Sequence, residues 1–208
     1  MEHFDIVGFA TWFAAFLFST TCHEAAHALL GRLGGDRTAE DQVTLNPLPH
    51  IRREPFGMVL LPLLSGISSG GTSLIGWASA PFDPAWARCH PRRAALMSAA
   101  GPLANFALAG GAILILRGMI ASGGSREVAQ VVWVLALLNA LLGVFNLLPL
   151  PPLDGAGVVE GLGGPLGRLM SAARASSLFR LAAFAVAIVV FRFVAPIVAD
   201  FVGALVTG

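Results

Sequence analysis

The sequence predicts an all-α integral membrane protein, a polytopic helical bundle. Hydrophobic residues occupy 56% of the 208 positions and charged residues only 12%. The mean hydropathy of +0.76 lies outside the range usual for a soluble domain. Several apolar stretches are also long enough to cross a bilayer, which takes about 20 residues. We expect one membrane-embedded domain over residues 1–208, with its core at about 6–165.

Three apolar stretches are predicted to be membrane-spanning helices, and a fourth region is ambiguous. The first stretch carries no charge before Glu24. The fourth region is interrupted by Arg192, Pro196 and Asp200, so it is either one long helix or a helical hairpin. The predicted segments are residues 6–30, 94–116, 128–148 and 178–206.

Two shorter segments lie in the polar region after the first span. Residues 56–67 are apolar, but they are too few to cross a bilayer, and a serine- and glycine-rich run follows them. We expect residues 56–72 to form a re-entrant or interfacial segment, although hydropathy alone leaves open whether it crosses. Residues 42–46 are predicted to form a short β element that Pro47 ends.

The most informative motif is H-E-x-x-H at residues 23–27, inside the first span. On a helix His23 and His27 share one face, so both imidazoles can bind one Zn²⁺ while Glu24 positions a water molecule. Short motifs also occur by chance, but ionisable groups at membrane depth are costly and usually functional. The motif therefore predicts peptide-bond hydrolysis within, or at the edge of, a membrane.

A zinc site with an open position needs three protein ligands, so the two histidines need a partner. Most other carboxylates lie in polar loops, where a solvated surface charge is the default interpretation. Asp154 differs because it follows an apolar span and a proline-rich break. Leu-Asp-Gly alone is typical of an ordinary turn. In combination with the histidine motif, a role as third ligand is favoured.

Four motifs occur in order along the chain: HEAAH at 23–27, LNPLPH at 45–50, AGPLAN at 100–105 and NLLPLPPLDG at 146–155. In these motifs the chain resembles the site-2 protease family of intramembrane zinc metalloproteases, in its small branch without appended PDZ or CBS domains. The resemblance implies that Asp154 is the third zinc ligand and that Glu24 is the general base. It also implies that Asn146 is a polar group near the scissile carbonyl.

The second motif departs from the pattern of the small branch. There the histidine is usually followed by Ile-Asp-Pro and a glycine two residues later. Here two arginines are inserted after Ile51, and Glu54 stands where an aspartate is expected. No role in the site is therefore predicted for His50 or Glu54, and His50 is interpreted as a capping or packing residue.

Chain direction restricts the topology. His27 lies toward the C-terminal end of its helix, and Asp154 lies beyond the C-terminal end of the third span, so both reach one metal only if these two helices point the same way. An odd number of crossings must then separate them. The second span supplies one crossing, so residues 56–72 must not cross.

The distribution of arginine agrees with this arrangement. Residues 31–93 carry seven arginines and residues 151–180 carry three, all on one face, whereas residues 117–127 carry two on the other. A true crossing by the short segment would spread arginine evenly, contrary to the positive-inside tendency. We therefore expect the N-terminus outside and the zinc toward the cytoplasmic side of a cell membrane, in a multi-pass protein of the bacterial cytoplasmic membrane.

The predicted substrates are transmembrane proteins, cleaved in or near their membrane segments, and the surrounding partner is the lipid bilayer. With a net charge of +1 and no basic stripe, no nucleic-acid partner is expected. The sequence predicts no oligomeric state. Two alternatives are a membrane metal transporter, which would favour more polar residues along its spans, and a catalytically idle membrane scaffold, which would tolerate loss of Glu24 or Asp154.

Overall fold

The computed structural model describes residues 5–70 and 74–208, most of which are helical. The helices are α1 (Ile6–Gly34), α2 (Pro47–Arg53), α3 (Leu61–Ser68), α4 (Pro84–Cys89), α5 (Pro91–Ser122), α6 (Arg126–Asn146), α7 (Asp154–Leu162), α8 (Gly164–Ala175) and α9 (Ser177–Thr207). Four of them, α1, α5, α6 and α9, are long and apolar enough to cross a membrane. The ambiguous fourth region is thus one continuous helix, with Pro196 inside it.

The β element predicted at residues 42–46 is wrong. Glu40–Gln42 form a turn of 3₁₀ helix, and α2 begins at Pro47. The side chain of Asn46 caps α2 by accepting a hydrogen bond from the backbone N–H of Leu48 at 3.0 Å, and proline suits the first helical turn. Capping chemistry outweighs the weak β propensity here, since no strand exists in the described part of the chain to pair with this segment.

Helices α1, α5 and α6 form the central bundle. Helices α5 and α6 are an antiparallel hairpin, because only residues 123–125 connect them. His27 lies beside Met97 and His23 lies beside Asn105, so residue numbers fall along α1 as they rise along α5. Helix α1 is therefore antiparallel to α5 and parallel to α6. This is the relative direction that a shared metal requires.

The buried core of the bundle is apolar toward the end near residues 123–125, and we call this end the apolar half. Helix α9 packs antiparallel to α6. Phe145, at the far end of α6, contacts Phe184 and Phe191 in the first half of α9, and Arg117 donates to the carbonyl of Leu205 near the end of α9 at 2.8 Å. The core of the apolar half consists of Ala109, Ala112, Leu116, Ala136, Ala140 and Val202.

A short hairpin packs beside α1. Its first arm is a π-helical turn at Phe56–Leu60 that continues directly into α3. This arm is too short to cross a bilayer. It reaches the N-terminal part of α1, where Gly66 packs against the ring of Phe9. The predicted end of this segment, Thr72, lies outside the described residues.

The second arm of the hairpin has no regular secondary structure and returns along the first. The N–H of Trp77 donates to the carbonyl of Gly57 at 3.1 Å. Further on, the N–H of Asp83 donates to Oδ2 of Asp36 at 2.8 Å, just beyond the end of α1. The chain thus leaves the C-terminal end of α1, approaches its N-terminal part at Gly66 and returns to the C-terminal end at Asp83, which is the path of a re-entrant segment. Its position relative to a bilayer stays a prediction.

Glu54 and His50 support this hairpin and its preceding loop. Oε1 of Glu54 accepts a hydrogen bond from the hydroxyl of Ser79 at 2.6 Å, which links the two arms. His50 is only 2% exposed, and its Nε2–H donates to the carbonyl of Thr44 at 3.1 Å. Both contacts are structural ones, in agreement with the interpretation of His50 as a packing residue.

Candidate metal centre

The structure brings the three predicted ligands together. His23 and His27 lie on one face of α1, and Asp154 is the first residue of α7. Nε2 of His23 is 3.0 Å from Oδ2 of Asp154 and 3.0 Å from Nε2 of His27. Nε2 of His27 is 3.3 Å from the same carboxylate oxygen. Within residues 5–70 and 74–208, no other group of three such side chains could hold a metal ion.

A glycine of α5 leaves room for the two imidazoles. Gly101 lies directly against them, and a Cβ atom at this position would collide with Nε2 of both His23 and His27. Any larger residue would therefore occupy the space where the ligand atoms converge. The close approach of α5 to α1 depends on this glycine, in keeping with the small-residue packing of membrane helices.

A second glycine places Asp154. Gly155 packs against the backbone carbonyls of Leu147 and Leu148, and a Cβ atom there would collide with that backbone. The first turn of α7 therefore lies directly against the end of α6. Oδ2 of the carboxyl group of Asp154 faces Nε2 of both histidines. Metal ligation requires the ionised form of this carboxyl group.

The donor set fits zinc. Nδ1 of His27 lies 2.7 Å from the carbonyl of Met97. A carbonyl can only accept, so this nitrogen carries the proton and the lone pair of Nε2 faces Asp154. Two nitrogens and one carboxylate oxygen with an open fourth position are typical of catalytic zinc. Their separations match the roughly 3.3 Å expected for ligands about 2.0–2.1 Å from one tetrahedral ion.

Glu24 lies beside the ligands with one carboxylate oxygen unengaged. It is 4% exposed, and its Oε2 is buried without a hydrogen-bond partner among the described residues. Together with the three ligands it lines a cavity of about 1200 Å³. A buried acceptor without a partner is costly unless a ligand or water completes it. The position of Glu24 therefore suits a base that acts on water inside the cavity.

Asn146 lines the same cavity, as the last residue of α6. Its side-chain amide donates to the carbonyl of Leu142 at 3.0 Å. An amide nitrogen carries two hydrogens, so this bond leaves one for the cavity. The proposed role of Asn146 near a scissile carbonyl stays a prediction.

Two buried asparagines at the site were not predicted. Asn105 and Asn139 are 0% exposed, and Oδ1 of Asn105 lies 2.5 Å from Nδ1 of His23. Asn105 ends the third motif, but nothing in the sequence alone predicted a contact between Asn105 and His23. The one indication was that a polar amide inside a membrane span usually has a hydrogen-bond partner in the protein.

Comparisons with known proteins agree with this site. The model of peptidase family M50 matches residues 111–190, which include Asp154. YwhC of Bacillus subtilis, named as a candidate zinc metalloprotease, is 37% identical over 158 residues, which cover 72% of this chain and 67% of YwhC.

Rip2 of Mycolicibacterium smegmatis, which carries the same kind of name, is 34% identical over 153 residues. That match covers 71% of this chain and 55% of Rip2, so the chain spans about half the length of this relative. No solved structure matches the chain.

Proposed function

This chain belongs to peptidase family M50, the site-2 protease family of zinc metalloproteases, and we propose that it hydrolyses peptide bonds in or near the transmembrane segments of membrane proteins. One observation carries the proposal: His23, His27, Asp154 and the buried base Glu24 converge on one cavity between helices apolar enough to cross a membrane. A metal-transit path or an idle scaffold has no need of an unpaired glutamate beside the ligands.

The mechanism follows from the roles of these side chains. His23, His27 and Asp154 would hold Zn²⁺, which when bound supplies Lewis-acid polarisation and lowers the pKa of water. Glu24 accepts one proton from the attacking water while the oxygen of that water bonds to the scissile carbonyl carbon. Glu24 then passes this proton to the amide nitrogen as the C–N bond breaks, which leaves a carboxylic acid and an amine. The remaining proton of the acid then moves to the amine, so that the products are a carboxylate and an ammonium group. The side-chain N–H of Asn146 steadies the developing oxyanion.

The cavity suits a polypeptide segment as substrate. Its volume of about 1200 Å³ exceeds the roughly 300–1,000 Å³ of typical small-molecule sites. Residues of the second arm, which has no regular secondary structure, line the cavity. The backbone N–H groups of two of them, Ala78 and Ala80, have no partner in the described part of the chain. A membrane helix hides its own peptide bonds, so a substrate must unwind before attack. Unpaired backbone groups in the cavity would bind the unwound segment.

The proposed orientation has the N-terminus outside and the metal site toward the cytoplasm of a bacterial cell. Asp36 and Asp83 are hydrogen-bonded at the C-terminal end of α1, and the side chain of Arg93 donates to the carbonyl of Gly34 at 3.1 Å. Both arginine-rich loops therefore lie at one end of the bundle. By the positive-inside tendency that end is cytoplasmic.

The function is tested with Glu24→Gln and a model transmembrane substrate in reconstituted vesicles. We expect the variant to retain zinc and fold but to lose cleavage by about 10²–10⁴-fold, because the amide cannot accept a proton. Leu116→Ala, in the distant apolar half, serves as a matched control that retains the base. Cleavage by Glu24→Gln at the wild-type rate would contradict the assigned base. Absence of cleavage by the zinc-loaded wild type for any transmembrane substrate would favour the scaffold or the transporter.

The orientation is tested by single cysteines at Glu40, Ala85 and Ser122 in a background without Cys22 and Cys89. With a membrane-impermeant thiol reagent, Glu40→Cys and Ala85→Cys should label only in inverted vesicles. Ser122→Cys, at the opposite end of α5, should label only in intact cells. Opposite labelling of the first two positions would show that the hairpin crosses, and the shared three-ligand site would have to be abandoned.

A further inference from the structure

A chain of hydrogen bonds leads from His23 through two asparagines to the backbone of α6. Oδ1 of Asn105 lies 2.5 Å from Nδ1 of His23, and Nδ2 of Asn105 donates to Oδ1 of Asn139 at 2.8 Å. Nδ2 of Asn139 donates in turn to the hydroxyl of Ser19 and to the carbonyl of Leu135, each at 2.9 Å. The three polar side chains beyond His23 are 0% exposed. The chain therefore joins α1, α5 and α6 without solvent.

The far end of this chain has a fixed direction. The carbonyl of Leu135 can only accept, so the NH₂ group of Asn139 must face it and its Oδ1 must face Asn105. Asn105 then has to present its own NH₂ group to Asn139 and its Oδ1 to His23. Rotating either amide by half a turn would bring two acceptors or two donors face to face in a buried site, which is costly.

The near end of the chain therefore fixes the proton on His23. Nδ1 faces an acceptor that cannot rotate, so Nδ1 carries the hydrogen and donates it to Asn105. The lone pair of the neutral imidazole is then on Nε2, which faces Nε2 of His27 and Oδ2 of Asp154. A histidine ligand to a metal needs this arrangement, in which its second nitrogen donates to a partner.

The two histidines reach the same state by different means. His27 donates to a main-chain carbonyl, that of Met97, and no side-chain substitution removes this acceptor. His23 depends on two side chains, so its tautomer is sensitive to mutation. This asymmetry gives a sharp test, because only one of the two ligands should respond to changes in the asparagines.

We propose that Asn105 and Asn139 are positioning residues that hold His23 in the tautomer whose Nε2 binds zinc. The inference rests on the proposed ligand set of His23, His27 and Asp154. Asn105 acts directly, as the acceptor of the Nδ1 proton. Asn139 acts through Asn105, because it prevents the amide of Asn105 from rotating.

The first measurement is zinc affinity of the purified protein in competition with a chelator. Asn105→Leu should weaken zinc binding about 10–100-fold, the usual effect of losing such a partner. Asn105→Asp retains an acceptor for Nδ1 and should bind zinc more tightly than Asn105→Leu. Thr21→Val is the matched control: Thr21 is also buried in α1, but its hydroxyl has no hydrogen-bond partner among the described residues. Its zinc affinity should equal that of the wild type.

The second measurement is ¹⁵N NMR of histidine-labelled protein loaded with zinc. The wild type should show a protonated Nδ1 and a metal-bound Nε2 for His23. Zinc on Nδ1 of His23 would overturn the proposal even if every variant fails to fold. In folded variants, wild-type zinc affinity of Asn105→Leu would overturn it as well.

Two further outcomes separate the possible roles. If Asn105→Leu and Asn105→Asp weaken zinc binding equally, Asn105 contributes only to packing, and the proposal is contradicted. His23→Ala and Asp154→Ala should both lose zinc. Retention of zinc in these two variants would contradict the proposed ligand set itself, and thus the proposed function, independently of the asparagines.

Discussion

The central bundle has two halves that are held together in different ways. In the apolar half, α5, α6 and α9 meet through alanines, Leu116 and Val202, with no polar atom among the side chains of this cluster. In the half that carries the metal centre, which we call the metal half, Ser19, His23, Asn105 and Asn139 are equally buried but joined by hydrogen bonds. Close packing of small residues brings helices together. Hydrogen bonds with fixed donors and acceptors also define how each side chain is oriented.

The largest effect should come from the glycine that separates the histidines from α5. Gly101→Ala should cause near-complete loss of bound zinc, because its Cβ would occupy the space of both Nε2 atoms. Elemental analysis of the purified variant measures this. Gly111→Ala in the same helix is the matched control, since no atom lies within 4 Å of its added Cβ. It should keep zinc and gain up to about 1 kcal/mol of helix stability.

Normal zinc content in Gly101→Ala would mean that α5 moves away from α1 at little cost. In that case the metal half would be as tolerant of substitution as the apolar half, and the contrast between them would fail.

A smaller effect is expected in the apolar half. Leu116 is 3% exposed, and Leu116→Ala should lower the free energy of unfolding by about 2–3 kcal/mol because it leaves a cavity. Zinc content per folded molecule should not change. Thermal unfolding in detergent, with zinc measured on the same samples, tests this. Loss of zinc together with stability would show that the two halves unfold as one unit.

The smallest effect concerns the loop beyond the metal half. Burial raises the pKa of Asp36, but hydrogen bonds from the hydroxyl and N–H of Thr38 and the N–H of Asp83 lower that pKa more, so it lies below its ordinary value. The stabilisation is therefore present above the unfolded-state pKa of about 3.9 and is lost as the pH falls through the folded-state pKa.

We expect the wild type to unfold at a higher temperature than Asp36→Asn near pH 6, and this difference to shrink below about pH 4. Asp41→Asn, an exposed acid of the same loop, is the control and should show no such difference. A constant difference between wild type and Asp36→Asn across this range would mean that the ionised carboxylate contributes nothing.

Hydropathy was sufficient to predict the long helices, but it predicted neither the continuity of α9 through Pro196 nor the structure of residues 42–46. A 20-residue apolar stretch must satisfy its own backbone in a bilayer, so α1, α5 and α6 were predictable. Pro196 was ambiguous, because membrane helices tolerate proline when neighbouring groups compensate. The error at residues 42–46 arose because the prediction gave weight to the β-branched residues Val43 and Thr44 and overlooked the capping role of Asn46.

The metal centre was predictable to the extent that its chemistry is local. His23, Glu24 and His27 are fixed by helical spacing. Asp154 was indicated by its place after an apolar span and a proline-rich break, and the resemblance to the protease family added Asn146. Asn105 could not be assigned, because its contact with His23 joins residues 82 positions apart. Such a contact depends on how the helices pack, and no short sequence pattern records it.

The ligands come from widely separated parts of the chain, and this separation has a consequence for biosynthesis. Asp154 lies 131 residues after His23. At about 5–20 residues per second, a ribosome needs roughly 7–26 s to cover this distance. During that time α1 is already made, while its histidines and Glu24 still lack the third ligand. A nascent chain therefore cannot assemble the proposed three-ligand site until α5 and α6 have been made and the start of α7 has followed them. The metal site thus forms only after three of the four long helices of the chain have been synthesised.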